Sequence, residues 1–163
     1  MRLAENLCFT AMKKFKAKYG VIPNVSDHDY FTNSMHVPVW EKMTPFEKID
    51  LEAQLTGYSS AGCICYVELD ASAINNTQAI EELVNYAMDR DIPYFAINVP
   101  STTCCKCGFV DANMENECPK CGSTDLFSVK RVTGYLTGDW KKTFNYGKQE
   151  EAKDRVKHTC VDA

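Results

Sequence analysis

Two short cysteine pairs constrain this chain more than anything else in it. Cys104 and Cys107 form one Cys-x-x-Cys turn, Cys118 and Cys121 a second, and ten residues separate them. Glycine follows each pair, at Gly108 and Gly122, and Pro119 lies inside the second. A turn of this kind points two thiolates at one cation, and the glycine permits the tight backbone. Two such turns complete a closed four-thiolate site, the structural type that suits Zn²⁺. With no open position left on the ion, its expected role is to fold a segment too small to bury a core of its own. Paired redox-active Cys-x-x-Cys motifs are the competing reading, and the doubled turn with its glycines argues against them.

The other cysteines are read differently. There are nine in all, an odd number, in 163 residues. No leader with a basic start and an apolar stretch is read, and no run reaches membrane-spanning length. Disulfide scaffolding is therefore disfavoured, and a reducing cytoplasm with metal ligation is expected. Cys105 is offset from the pattern and is read as a bystander. Cys8 and Cys63 read as core residues, while Cys65 and Cys160 are left unassigned, with thiol chemistry at one of them open.

Charge narrows the partner class. With 18 basic and 22 acidic residues the net charge is −4, a poor match to a polyanion. The balance is uneven: from Val129 to His158 eight Lys or Arg face four Asp or Glu. Such a stretch can meet a phosphate or an acidic surface, or be only a solvated helix face.

The pattern along the chain reads as α/β. Ala4, Leu7, Cys8, Ala11, Met12 and Phe15 recur at helical spacing, with Gly20 as a stop. Tyr30 to Thr32 reads as a short strand, and Thr32, Asn33, Ser34, Met35 and His36 as a polar loop entering a site. Thr44-Pro45-Phe46-Glu47 is a capping box with proline at the first helical position. A helix follows, with Phe46, Ile49 and Ala53 inward. Cys63 to Leu69 reads as a buried strand. Asn76 or Thr77 caps a helix whose inward stripe is Ile80, Leu83, Val84, Ala87 and Met88. Tyr94 to Val99 reads as another strand, making one strand–helix–strand crossover of right-handed type. A final helix is expected from about Tyr146 to His158. The composition changes near residues 100–103. The expected division is 1–100 as an α/β segment, 101–128 as a zinc-ribbon module, and 129–163 as a glycine loop with a C-terminal helix.

The glycine loop is Arg131-Val132-Thr133-Gly134-Tyr135-Leu136-Thr137-Gly138, a β-like stretch interrupted by glycine. On spacing alone Gly134 is a turn glycine. Its neighbours change that. Arg131-Val132-Thr133-Gly134-Tyr135 resembles the signature of glycyl radical enzymes. The cysteine turns upstream narrow the resemblance to the anaerobic, class III ribonucleoside triphosphate reductases. Four further stretches are similar to that family: Tyr30 to Pro38, Thr44 to Lys48, Asn98 to Thr103, and Arg155-Val156-Lys157-His158.

The resemblance implies a fold and a chemistry. The fold would be the C-terminal part of a ten-stranded α/β barrel of glycyl radical enzyme type, with the zinc ribbon and the radical loop attached. Gly134 would carry the radical, because only glycine leaves a bare Cα between two amides. An activating enzyme with S-adenosylmethionine and a 4Fe–4S cluster would install it. The radical would then generate a thiyl on a cysteine of a large catalytic subunit, where a ribonucleoside triphosphate is reduced. Residues 1–100 would complete that partner's barrel, and Thr32, Asn33, Ser34 and His36 would line its substrate side. The plainer reading of that loop is a capped turn with a satisfied histidine. As a natural split subunit the chain would store a radical without turning over a nucleotide alone. The alternatives are a spare part replacing an oxygen-cleaved glycyl domain and a zinc-ribbon module that binds protein or nucleic acid. Neither a membrane nor a nucleic acid is an expected partner.

Overall fold

The computed structural model describes residues 3–31, 36–60, 62–111, 114, 116–132 and 135–159. Two sheets organise them. The first has two parallel strands, β1 (Cys65–Glu68) and β2 (Phe95–Asn98), joined in register from Cys65 opposite Phe95 to Glu68 opposite Asn98. Helix α3 (Thr77–Met88) crosses between them, after a short 3₁₀ turn at Ala71–Asn75. A parallel pair needs such a crossover, because no tight turn can join two strands running the same way.

Helix α2 (Pro45–Thr56) covers the first sheet. Its start is fixed as the sequence suggests: Thr44 accepts the Glu47 N–H, Glu47 accepts the Thr44 N–H, and Pro45 opens the first turn. Asn76 caps α3 by accepting the Ala79 N–H at 3.1 Å. Between α2, α3 and β1 lie Ile49, Cys65, Val67, Leu69, Leu83, Ala87 and Ile92, all buried. Burying each of the larger aliphatic side chains contributes about 1.5–3 kcal/mol.

The inward stripe of α3 is narrower than its sequence suggests. Leu83 and Ala87 are buried, whereas Met88 is 67% exposed. Strands lie only about 4.8 Å apart, so two of them cover little more than one row of a helix. Helix α1 (Leu3–Tyr19) differs in a similar way. Met12 is buried, but Leu7 is 64% exposed and Ala11 is also exposed. Phe9 takes the inward place, meeting the Tyr146 ring edge-on at 5.4 Å and packing on Gly147. Gly20 ends the helix with φ +75°, as its position suggests.

The second sheet is antiparallel, in the order β4 (Val110–Asp111), β3 (Ser101–Cys104), β5 (Leu126–Val132), β6 (Tyr135–Gly138). Strand β5 is continuous across residues 128 and 129. One end of it pairs with Cys104 and the other with Tyr135. A short helix α4 (Trp140–Thr143) and α5 (Tyr146–Asp154) follow, with Asn145 capping α5 by accepting the Lys148 N–H.

Two expectations fail here. Helix α5 stops at Asp154, not His158. The Val156 N–H donates to Val39 O at 2.9 Å and the His158 N–H to Glu68 O at 2.8 Å, so these groups serve another segment instead of a helical turn. Residues 28–30 form a bend, and Tyr30 is buried with its hydroxyl donating to Asp154 at 2.9 Å. Among the described residues no helix is long and apolar enough to cross a membrane.

Candidate metal centre and the strands around it

Both cysteine turns fold as their spacing requires. Gly108 donates its N–H to Cys104 O at 2.9 Å, and Gly122 donates to Cys118 O at 2.8 Å. The two glycines have φ of +71° and +67°, which is why a residue without a Cβ follows each pair. A second bond steadies each turn, from the Cys104 N–H to Phe109 O and from the Cys118 N–H to Ser123 O.

The four thiols converge. Cys104 Sγ lies 3.6 Å from Cys121 Sγ, and Cys107 Sγ lies 3.6 Å from Cys118 Sγ. All four sulfurs fall within 4.8 Å of one another. A tetrahedral ion with metal–sulfur bonds of about 2.3 Å holds its sulfurs about 3.8 Å apart, so the set fits one ion. The ionisation of the thiols agrees. Burial pushes the Cys104 thiol up, but the N–H groups of Cys107 and Lys106 outweigh it and hold the thiol at about 6. Cys121 accepts the Ser123 N–H, which favours its thiolate, yet burial and the other three sulfurs drive it up to about 12. Four thiolates this close repel, and a divalent cation is what relieves that. Cys105 is exposed and stands outside the group.

The apolar cluster here is small: Cys104, Met114 and Cys118, with Phe109 and Leu126 against them. The centre is tied to the next strands through β3 and β5. Leu126 to Val129 of β5 pair with β3, and Val129 to Val132 pair with β6. Thr133 and Gly134 lie outside the described residues, as do Thr32, Asn33, Ser34 and Cys160.

His36 is the described member of the candidate substrate-side loop. Its Nδ1 lies 3.2 Å from Glu52 Oε2, and its Nε2 faces Cys63 Sγ at 3.9 Å. Glu52 is 2% exposed and also receives Lys48 Nζ at 2.5 Å and the Val37 N–H at 3.2 Å. Burial would raise its pKa. The His36 ring beside it and the charge of Lys48 outweigh burial and hold it at about 2. The same carboxylate works against the cysteines beside it. Burial first, then the Glu52 charge, raises both Cys63 and Cys65, so neither is a thiolate at neutral pH. Cys63 is half-buried just before β1, and Cys65 lies fully within the core.

Sequence reasoning overlooked a second charged cluster on β1. Glu68 bonds the Arg155 guanidinium, and Asn98 Nδ2 donates to its other oxygen at 2.6 Å. Arg155 also reaches Glu151 at 3.1 Å. His158 Nδ1 accepts the Glu68 N–H at 2.9 Å, and burial followed by the Lys48 charge lowers the ring to about 4, so it is neutral. Lys48, Tyr66, Glu68, Arg155 and His158 share the lining of one cavity. An i,i+4 Lys–Glu pair flanking the buried Ile49 was a readable signal for Lys48 and Glu52, but long charged residues are normally exposed.

Comparison with known proteins bears on all of this. A family model for anaerobic ribonucleoside-triphosphate reductase matches residues 4–158. The anaerobic ribonucleoside-triphosphate reductase of Escherichia coli (strain K12) is 40% identical over 162 residues, covering 95% of this chain and 22% of that protein. The enzyme of the same name from Enterobacteria phage T4 is 39% identical over 162 residues, covering 95% of this chain and 26% of its own length. Among solved structures, an anaerobic ribonucleotide reductase superposes with a TM-score of 0.72 at 20% identity, covering 97% of this chain and 24% of that one. The Thermotoga maritima anaerobic ribonucleotide reductase in complex with dATP and CTP gives 0.63 at 20% identity, covering 93% and 23%. These two share the fold. The chain spans about a quarter of the length of the relatives it matches.

Proposed function

The chain belongs to the anaerobic ribonucleoside-triphosphate reductase family, and from that premise we propose that it is the radical-bearing part of such an enzyme, with Gly134 as the radical site. One observation carries this reading. Strand β5 belongs at one end to the cysteine centre and at the other to the strand pair flanking Thr133 and Gly134. A radical glycine must be held to within a fraction of an ångström of the position from which it reacts. A strand anchored in a metal-braced ribbon supplies such stiffness where apolar packing is scarce.

In this reading Cys104, Cys107, Cys118 and Cys121 hold Zn²⁺. The metal supplies folding energy, and no step of the reaction passes through it. An activating enzyme with S-adenosylmethionine and a 4Fe–4S cluster removes one hydrogen atom from Gly134 Cα. The amides on both sides stabilise the radical left behind. Gly134 then takes the hydrogen of a cysteine thiol, so the glycine is restored and a thiyl is formed. That cysteine belongs to the larger reductase body, the part of the relatives that this chain does not span. The two thiols nearest β1 are held for other purposes: Cys65 is sealed in the core, and Cys63 faces His36. The thiyl takes the 3′ hydrogen of a ribonucleoside triphosphate and opens the route to loss of the 2′ hydroxyl.

The three parts of the chain share this work. Residues 1–100 complete the barrel of the reductase body, 101–128 form the zinc ribbon, and 129–163 carry the radical loop and its closing helix. Thr32, Asn33, Ser34 and His36 face the substrate, with His36 anchored from behind by Glu52. The complex works in a reducing cytoplasm, where the thiolates stay available to the metal.

The direct test is turnover. Gly134→Ala, assembled anaerobically with the reductase body and the activating enzyme, loses deoxyribonucleotide formation to background and keeps its zinc. Turnover retained in that variant sinks the proposal.

A further inference from the structure

The proposed chemistry leaves one matched sequence stretch without a task, Arg155-Val156-Lys157-His158. In the structure this tail does not continue α5 but runs extended beside β1. His158 and Glu68 exchange two bonds: the His158 N–H donates to Glu68 O at 2.8 Å, and the Glu68 N–H donates to His158 Nδ1 at 2.9 Å. Val156 donates to Val39 O at 2.9 Å, and Lys157 Nζ meets Asp70 at 2.6 Å. Each residue of the tail is therefore spoken for by the first half of the chain or, for Arg155, by both halves.

Glu68 is the hub. Its carboxylate joins β1 to β2 through Asn98 and to α5 through the Arg155 fork, whose other arm holds Glu151. The side chains of Glu68 and Glu151 are 7% and 6% exposed. Burying two carboxylates and a guanidinium is costly, and apolar residues of the same volume would hold the elements together at least as firmly. What the charges add is direction, because a planar fork donates to a carboxylate in few orientations.

The same strand meets β5. Tyr66, two residues before Glu68 and lining the same cavity, lies under the Arg131 guanidinium at 5.5 Å. Arg131 is three residues from Gly134 in sequence. One face of β1 thus receives both the strand that leads into the glycine and the tail that closes the module.

We infer that Glu68 and Arg155 are positioning residues, a clamp that fixes the Gly134-bearing module on the β1–β2 sheet and so sets how well its radical reaches the reacting thiol. The inference rests on the proposed radical role of Gly134. A clamp that only stabilised the fold would act otherwise. Its loss would lower zinc, radical and turnover together, leaving turnover per radical unchanged.

The experiment assembles this chain with the reductase body and the activating enzyme. It counts zinc per chain, glycyl spins per chain by electron paramagnetic resonance, and turnover per spin. In Glu68→Gln and in Arg155→Met, zinc and spins stay near the unmodified level, while turnover per spin falls about 10- to 100-fold, as expected for a misplacement near 1 Å. Arg155→Lys keeps the charge without the fork and falls between these variants and the unmodified chain. It also reports if either stronger variant fails to fold. Unchanged turnover per spin in the folded variants overturns the clamp and leaves the radical reading intact. Absence of spins in the unmodified chain overturns the radical reading, and the clamp with it.

Discussion

Residues 45–99 enclose Ile49, Cys65, Val67, Leu69, Leu83, Ala87 and Ile92 in one apolar cluster, whereas the described residues of the cysteine module gather a smaller one, Cys104, Met114 and Cys118 with Phe109 and Leu126 against them. The two halves also treat one residue type in opposite ways. Cys65 and Cys104 are both fully buried. Burial and the Glu52 carboxylate raise the thiol of Cys65 far above its ordinary value. Burial likewise works against ionisation of Cys104, but the N–H groups of its own turn reverse the balance and bring it to about 6. Cys65 thus packs as a small hydrophobe, and Cys104 is prepared as a ligand. The turn around Cys104 aims two N–H groups at its sulfur, whereas Cys65 has a carboxylate beside it instead.

The largest effect that tests this contrast is removal of the metal. Structural zinc in small domains carries apparent binding energies of about 10 kcal/mol or more, comparable to the whole stability of a domain. A strong chelator, or Cys118→Ser, is expected to abolish amide-exchange protection in β3, β4 and β5. Protection in β1 and β2 should survive, because their core contains no ligand. Equal loss in both sheets would show that the halves are not separately held.

A smaller effect sharpens the contrast from the acid side. The folded-state pKa of His158 is lowered from 6.5 to about 4, burial being the main cause. Between those values the unfolded chain takes up a proton that the folded chain refuses. Unfolding free energy therefore falls as pH drops from 6.5 towards 4, by about 3 kcal/mol in all. Glu52 acts in a lower window. Its stabilisation is complete above 4.5 and is lost as pH falls towards 2. Denaturant titrations at several pH values between 7 and 4 measure the first loss. His158→Asn, with an amide oxygen to accept the Glu68 N–H, should flatten it. An unchanged slope in that variant would contradict the assignment.

The sequence announced the ribbon well because its signals are local. Each cysteine turn is closed by a glycine that must take positive φ, and both the spacing and the residue type show this without any partner. The cap at Thr44 was legible for the same reason, and so was the start of α3 to within Asn76 or Thr77. Signals that depend on a distant neighbour were not. Leu7 and Met88 match a helical stripe, yet nothing in the sequence says that only one row of each helix is covered. The end of α5 was hidden because no glycine or proline follows Asp154, and the competitor for the backbone of residues 156 and 158 lies on other segments, at Val39 and Glu68. The buried charges of Lys48, Glu52, Glu68 and Arg155 were hidden for the same reason, because long charged side chains are normally exposed. Of the candidate site, the four cysteines that converge were legible as a set. The anchoring of His36 by Glu52 was not.

The central claim is the location of the radical, and isotope-edited electron paramagnetic resonance tests it most directly. Activated chain in ordinary medium should give a doublet split by the single remaining α-hydrogen of Gly134. Chain grown on α-deuterated glycine should give the same signal with the splitting collapsed, and Gly134→Ala should give none. A doublet that survives Gly134→Ala, or one that glycine deuteration leaves unchanged, would place the radical elsewhere and contradict the account.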